Sequence, residues 1–108
     1  MKKDTIDLNF INYSTAALIE FAEQIYKNMK NDTRFSKLNS ILLDMETYRI
    51  SLQYCNNVTY SQNPQLYALT EQRKDDLLEA LIIVARYVNR IADGEASVIT
   101  ATGFLVAE

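Results

Sequence analysis

Apolar residues recur along this 108-residue chain with the period of helices, after a short start whose period is two. In IDLNFINY, Ile6, Leu8 and Phe10 alternate with Asp7 and Asn9, a pattern of extended backbone with one apolar face. Ser14 follows as a candidate N-cap, its hydroxyl placed to accept from the first free amides of a helix. Leu18, Ala22, Ile25 and Met29 then recur at intervals of four, three and four, with Phe21 widening the stripe. Glu20 and Glu23 near the start and Lys27 and Lys30 at the end suit the helix dipole, and Glu23 and Lys27 form a favourable i,i+4 pair. The spacing predicts a first helix over 15–30.

NDTRFS reads as a connection rich in turn formers. A second helix is predicted behind it, with Ile41, Met45, Tyr48, Leu52 and Cys55 as its seam, fading near Asn56 and Asn57. The polar stretch VTYSQNPQLYA holds the only proline, Pro64, and reads as the longest irregular segment. Thr70 is the expected N-cap of a third helix. That helix carries two adjoining apolar stripes, Leu77-Leu81-Val84-Val88-Ile91 and Leu78-Leu81-Ala85-Val88-Ala92, so it is expected at the centre of the core. Arg86 and Arg90 sit near its C-terminus, and Gly94 ends it. Residues 95–102 can make two more turns before Gly103 stops them. Val98, Ile99, Phe104 and Val106 are then expected to fold back and close the bundle beside the Ile6-Leu8-Phe10 segment. The fold class is therefore all-α: an up-and-down antiparallel bundle of three long helices plus a short C-terminal helix, with extended ends, in one domain over 1–108.

Composition supports this. Two glycines and one proline are too few for a sandwich or barrel, and 48% apolar with 23% charged residues is the balance of a globular domain. A formal net charge of −3 disfavours nucleic acid as a partner. No apolar run approaches the roughly 20 residues that span a bilayer. Lys2 and Lys3 are followed by Asp4 and Asp7, which interrupt the apolar region a secretory signal needs, so a cytoplasmic location is expected.

The residue inventory narrows the chemistry. Without histidine there is no Ser-His-Asp or Cys-His nucleophile system and no Glu-x-x-His di-iron motif. One cysteine, Cys55, makes neither an internal disulfide nor a thiolate zinc site, and its place on the apolar seam suits a small hydrophobe. The only glycines are 94 and 103, so there is no phosphate-binding loop. Carboxylates are grouped as Asp44 with Glu46, and Asp75 with Asp76 and Glu79. Magnesium or calcium is the only cofactor such oxygens would suit, but a solvated helix face is the preferred reading, so no cofactor is expected. The chain holds seven tyrosines and no tryptophan. Tyr54, Tyr60 and Tyr67 flank or lie within the long connection and are the candidate partner-binding residues, since a tyrosine ring supplies area and its hydroxyl a hydrogen bond.

The stretch LTEQRKDDLLEALIIVARYVNRIADGEASVITATGF, together with DLNFINYS before the first helix, resembles small helical-bundle proteins of Bacteroidetes and their phages. The residues that carry the likeness are Tyr87, Val88, Ile91, Ala92, Gly94, Glu95, Ala96, Val98, Ile99, Thr100, Ala101, Gly103 and Phe104. It covers about residues 70–104 and is weak over the first two helices. Some of those proteins continue into a fibronectin type III-like domain; here five residues follow Gly103. The resemblance implies a bundle with no assigned enzymatic activity and, for a phage protein, a place in the virion. The expected function is a non-catalytic structural or protein-interaction module, such as an accessory component of a phage particle, with a protein partner or self-association. The alternative is a small cytoplasmic regulator or inhibitor that binds one enzyme or defence protein.

Overall fold

A computed structural model of the chain describes residues 3–58 and 64–108. It is all-α. The long helices are α1 (Thr15–Met29), α2 (Asn39–Val58) and α3 (Pro64–Ala92), and a two-turn α4 (Ala96–Thr102) follows. Helices α1 and α2 run antiparallel: Tyr26 and Lys30 share a depression with Asn39, Leu42 and Leu43, while the earlier Glu23 lies beside the later Arg49. Helices α2 and α3, separated by five residues of sequence and packed together more extensively than any other pair, are antiparallel too. Helix α2 packs extensively against both other long helices, so it, rather than α3, holds the middle position.

Local signals explain most element ends. Ser14 caps α1 by accepting a hydrogen bond from the Ala17 amide at 3.2 Å, an interaction worth about 1 kcal/mol. Leu18, Ile19, Ala22, Ile25 and Met29 form its buried face. The expected connection after α1 is a 3₁₀ turn, Thr33–Leu38, in which the Arg34 amide donates to the Asp32 carboxylate and the Phe35 amide to the Asp32 carbonyl. It buries Phe35 and Leu38 against α2 and α3.

Helix α3 begins earlier than its pattern predicts. Pro64 takes the first helical position, where its missing amide costs nothing and its fixed φ favours the helix. Thr70 is therefore not an N-cap; it lies buried inside α3, and its hydroxyl donates back to the Leu66 carbonyl at 2.7 Å. Two apolar positions also depart from expectation. Tyr48 is at the surface of α2, with Leu42 buried on the stripe instead, and Ile91 is exposed near the end of α3.

The two chain ends close one side of the bundle. Asp93 and Gly94 turn the chain out of α3 with positive φ (48° and 88°), and a Cβ on Gly94 would meet Lys3 Cβ at 2.9 Å. Helix α4 then buries Val98, Ile99 and Thr102. Gly103 reverses the chain in the left-handed region at φ 98°. It lies against α1, where Asn28 Nδ2 donates to the Thr102 carbonyl at 3.2 Å. The last residues return antiparallel to the first: Ile6 bridges Val106, the Asp7 amide donates to Leu105 O, and the Ala107 amide donates to Thr5 O, both at 2.8 Å. Asn89 Oδ1 of α3 accepts the Ile6 amide at 2.9 Å, which ties this pairing to the bundle. The period-two reading holds only as far as Asp7. Residues Asn9–Asn12 form a 3₁₀ turn, so Phe10 is buried but Leu8 faces solvent.

Phe104 is the wedge of this closure. Its ring centroid lies 5.8 Å from Phe10 and 5.7 Å from Phe21, and Phe21 in turn meets Phe10 at 5.4 Å and Tyr13 at 5.3 Å. The four rings join the first segment, α1 and the tail through tilted and edge-on contacts of the kind aromatic quadrupoles favour. Phe104→Ala is expected to lower unfolding free energy by about 3–5 kcal/mol. Gly103→Ala should cost about 1–2 kcal/mol through its left-handed backbone alone. Urea denaturation followed by far-UV circular dichroism checks both.

Candidate functional site

Three surface regions carry side chains that could serve a function, and the expected tyrosines account for only part of them. Tyr54 is 69% exposed on α2 and Tyr67 is 58% exposed in the first turns of α3. Both stand at the end of the α2–α3 hairpin, on separate helices, and the ring contacts described above are at the tail closure instead. Tyr60 lies outside the described residues. Tyr54 shares the outer face of α2 with Leu43 and Ile50, which are 57% and 55% exposed. These three recur at intervals of seven and four, a helical stripe directly opposite the buried Met45 and Leu52.

The second region is the open side of the α2–α3 hairpin. On α2, Leu42 and Arg49 turn toward α1, whereas Ile41, Asp44 and Tyr48, on the other side of Met45, line a groove with Asp76, Glu79, Ala80 and Ile83 of α3. The groove encloses about 210 Å³. It continues along α3 into a second shallow depression formed by Ile83, Arg86, Tyr87 and Arg90. Ile83, Tyr87 and Ile91 are one apolar stripe at intervals of four, each more than a third exposed. The Arg90 guanidinium rests 5.8 Å from the Tyr87 ring centroid.

The carboxylates that the sequence groups together are separated by the fold. Asp44, Asp76 and Glu79 come to one groove, while Glu46 turns away to Arg49 and Asp75 stays exposed. Arg73 donates to Asp76 Oδ2 at 3.1 Å. Among the described residues no group of three or more His, Cys, Asp or Glu side chains is arranged to hold a metal ion. Cys55 is buried on the inner face of α2, as its position on the seam predicts. No helix among the described residues is long and apolar enough to cross a membrane. Comparison with protein-family models, curated proteins and solved structures finds no match for the chain.

The third region is an ionic strut between α1 and α2. Arg49, with a side chain only 11% exposed, donates through Nε to Glu46 Oε1 at 2.8 Å and through Nη1 to Gln53 Oε1 at 2.7 Å. Its Nη1 also lies 3.9 Å from Glu23 Oε2 on α1. The hydrogen bond from the Arg49 guanidinium to Glu46 holds the Arg49 pKa above its ordinary value, against the opposing effect of burial. Glu46 Oε2 is buried without a hydrogen-bond partner among the described residues. The local cost of that oxygen is offset by the guanidinium beside it, and the result is a fixed anchor rather than a reactive pair. Sequence spacing sets Arg49 on the buried Leu42-Met45-Leu52 stripe of α2, but it does not show that Glu46 and a carboxylate from α1 meet the guanidinium there.

Glu23 feels this strut and its own helix. The hydrogen bond and charge of Lys27, followed by the charge of Arg49, hold its carboxyl below the ordinary value of 4.5. Asp32 is lowered by Arg34, and Asp93 by Lys3. A carboxyl whose folded pKa is depressed adds stability above its unfolded pKa and loses it as pH falls through the folded value. Urea midpoints should therefore fall as the pH drops from neutral to below about 4.5, the ordinary Glu value. Glu23→Gln should make that fall shallower by a small amount, because the group faces water. An unchanged pH slope in the variant would show that the Lys27 and Arg49 contacts contribute nothing.

Proposed function

We propose that the protein is a non-catalytic structural or protein-interaction module. Its bundle presents apolar helix faces to a protein partner. The observation that carries this reading is the continuous stripe Ile83-Tyr87-Ile91 on α3, set beside the groove that Tyr48 and Ile41 line from α2. Scattered exposed apolar residues are normal on a soluble protein, but a stripe along one helix with charged residues at its margins is the pattern of a contact surface. The same reading accommodates an accessory role in a larger assembly, such as the phage particle implied by the resemblance of residues 70–104. Nucleic acid is a poor partner for a chain of net charge −3.

Affinity capture from the native source, quantified by mass spectrometry, tests the proposal. The expected result is a defined complex retained by the natural chain and lost with Ile83→Asp. Incorporation in many copies would favour the structural role, and a one-to-one complex with a single enzyme would favour a regulator. Turnover of an ester or phosphoester panel, abolished by Asp76→Asn or Glu79→Gln, would overturn the non-catalytic reading.

A further inference from the structure

The open side of the α2–α3 hairpin is divided by charge about a single residue. Its two depressions meet at Ile83. The one toward the start of α3 is acidic, with Asp44, Asp76 and Glu79. The one toward the end is basic, with Arg86 and Arg90. Along α3 the spacing is symmetric: Asp76 stands seven residues before Ile83 and Arg90 seven after, while Glu79 and Tyr87 stand four residues to either side. Seven residues are two helical turns and four are slightly more than one, so these side chains share the stripe on which Ile83 sits.

We propose that this face docks a second copy of the same chain, with the two α3 helices antiparallel about a two-fold axis through Ile83. The proposal rests on the interaction-module reading above and names its partner. An isologous contact requires a surface complementary to itself, so that whatever lies on one side of the axis meets its complement from the other side. This face satisfies that condition in charge and in the spacing of its side chains along α3. With Ile83 against Ile83 at the centre, Asp76 of each copy faces Arg90 of the other. Glu79 faces Tyr87, whose ring already carries the Arg90 guanidinium. Asp44 adds a further carboxylate to the acidic half of the groove.

A parallel arrangement would set acid against acid and arginine against arginine, so the charge pattern selects the antiparallel one. Arg73 donates to only one Asp76 oxygen, and a second guanidinium can approach the other in the manner carboxylates commonly accept. The Ile83 and Tyr87 side chains, more than a third exposed in the single chain, become the water-excluded centre of the contact.

Charge reversal in two complementary variants tests the proposal, with oligomeric state read by sedimentation velocity across the micromolar range. The natural chain should dimerise, and more weakly as salt is raised. Asp76→Arg alone places arginine against arginine, and Arg90→Glu alone places acid against acid. Each variant should associate with itself roughly tenfold or more weakly than the natural chain. Mixed one to one, the two variants should form a heterodimer, because both cross-contacts then become attractive. Thermal unfolding of each variant by circular dichroism establishes that both are folded before mixing. A natural chain that stays monomeric would overturn self-docking, and the affinity capture described above would judge the interaction reading separately. A dimer of unchanged strength in both variants would equally overturn it, by showing that the chain associates through a different face.

Discussion

The structure turns on how the α2–α3 hairpin is covered. Two antiparallel helices joined by a short connection bury a seam between them, here built from Met45, Leu52, Leu77, Leu81, Val84 and Val88, all essentially without solvent access. Such a seam has two flanks, and one hairpin covers neither. This chain supplies α1, α4 and its own two ends to one flank. The other keeps Ile83, Tyr87 and Tyr48 at the surface. The molecule is accordingly thin, with principal extents of 51 × 27 × 16 Å. One flank is a finished core and the other keeps an apolar stripe at the surface.

Sealing the covered flank needs devices of several kinds. Helix α1 brings an apolar face, but its position on α2 is fixed by the Arg49–Glu46 pair and the approach of Glu23. The tail must reverse direction twice within about ten residues, and the left-handed backbone at Gly94 and Gly103 makes that possible. Phe104 then enters a cluster with Phe10 and Phe21 that no single element could form alone. Asn89 and Asn28 satisfy backbone groups that the irregular ends would otherwise leave without partners near the core. Apart from the Arg49–Glu46 pair, these contacts join residues far apart in sequence, so the closure depends on the helices being in place.

Much of the helical framework was legible in the sequence, because helix periodicity and capping chemistry are local. Ser14, the Leu18-Ala22-Ile25-Met29 stripe, the two glycine stops and the return of the tail beside Ile6 can be read from spacing alone. Thr70 shows where local reading fails: a threonine ahead of an apolar run looks like a cap, but Pro64 had already started the helix and the hydroxyl bonds inward. Tyr48 fails for another reason. Its heptad position is apolar, yet it falls on the open flank of the α2–α3 seam, and the sequence of a helix does not say which neighbours it will have. The surface at Ile83 was hidden for the same cause. Periodicity assigns Ile91 and its neighbours to a broad core face, whereas the fold supplies partners for only part of that width. Arg86 and Arg90 read as dipole partners; their placement opposite Asp44, Asp76 and Glu79 along one groove needs α2 and α3 side by side.

The fold therefore depends on residues 5–7 and 104–107 sealing one flank of the hairpin while the other stays open. Residue-resolved hydrogen exchange addresses it most directly, because the Asp7 and Ala107 amides have their only described acceptors across the pairing of the ends, at Leu105 O and Thr5 O. If the ends are part of the core, these amides exchange slowly, with protection approaching that of central α3 amides such as Leu81 and Val84. Exchange at the rate of unstructured peptide at Asp7 and Ala107, with α3 still protected, would contradict the account.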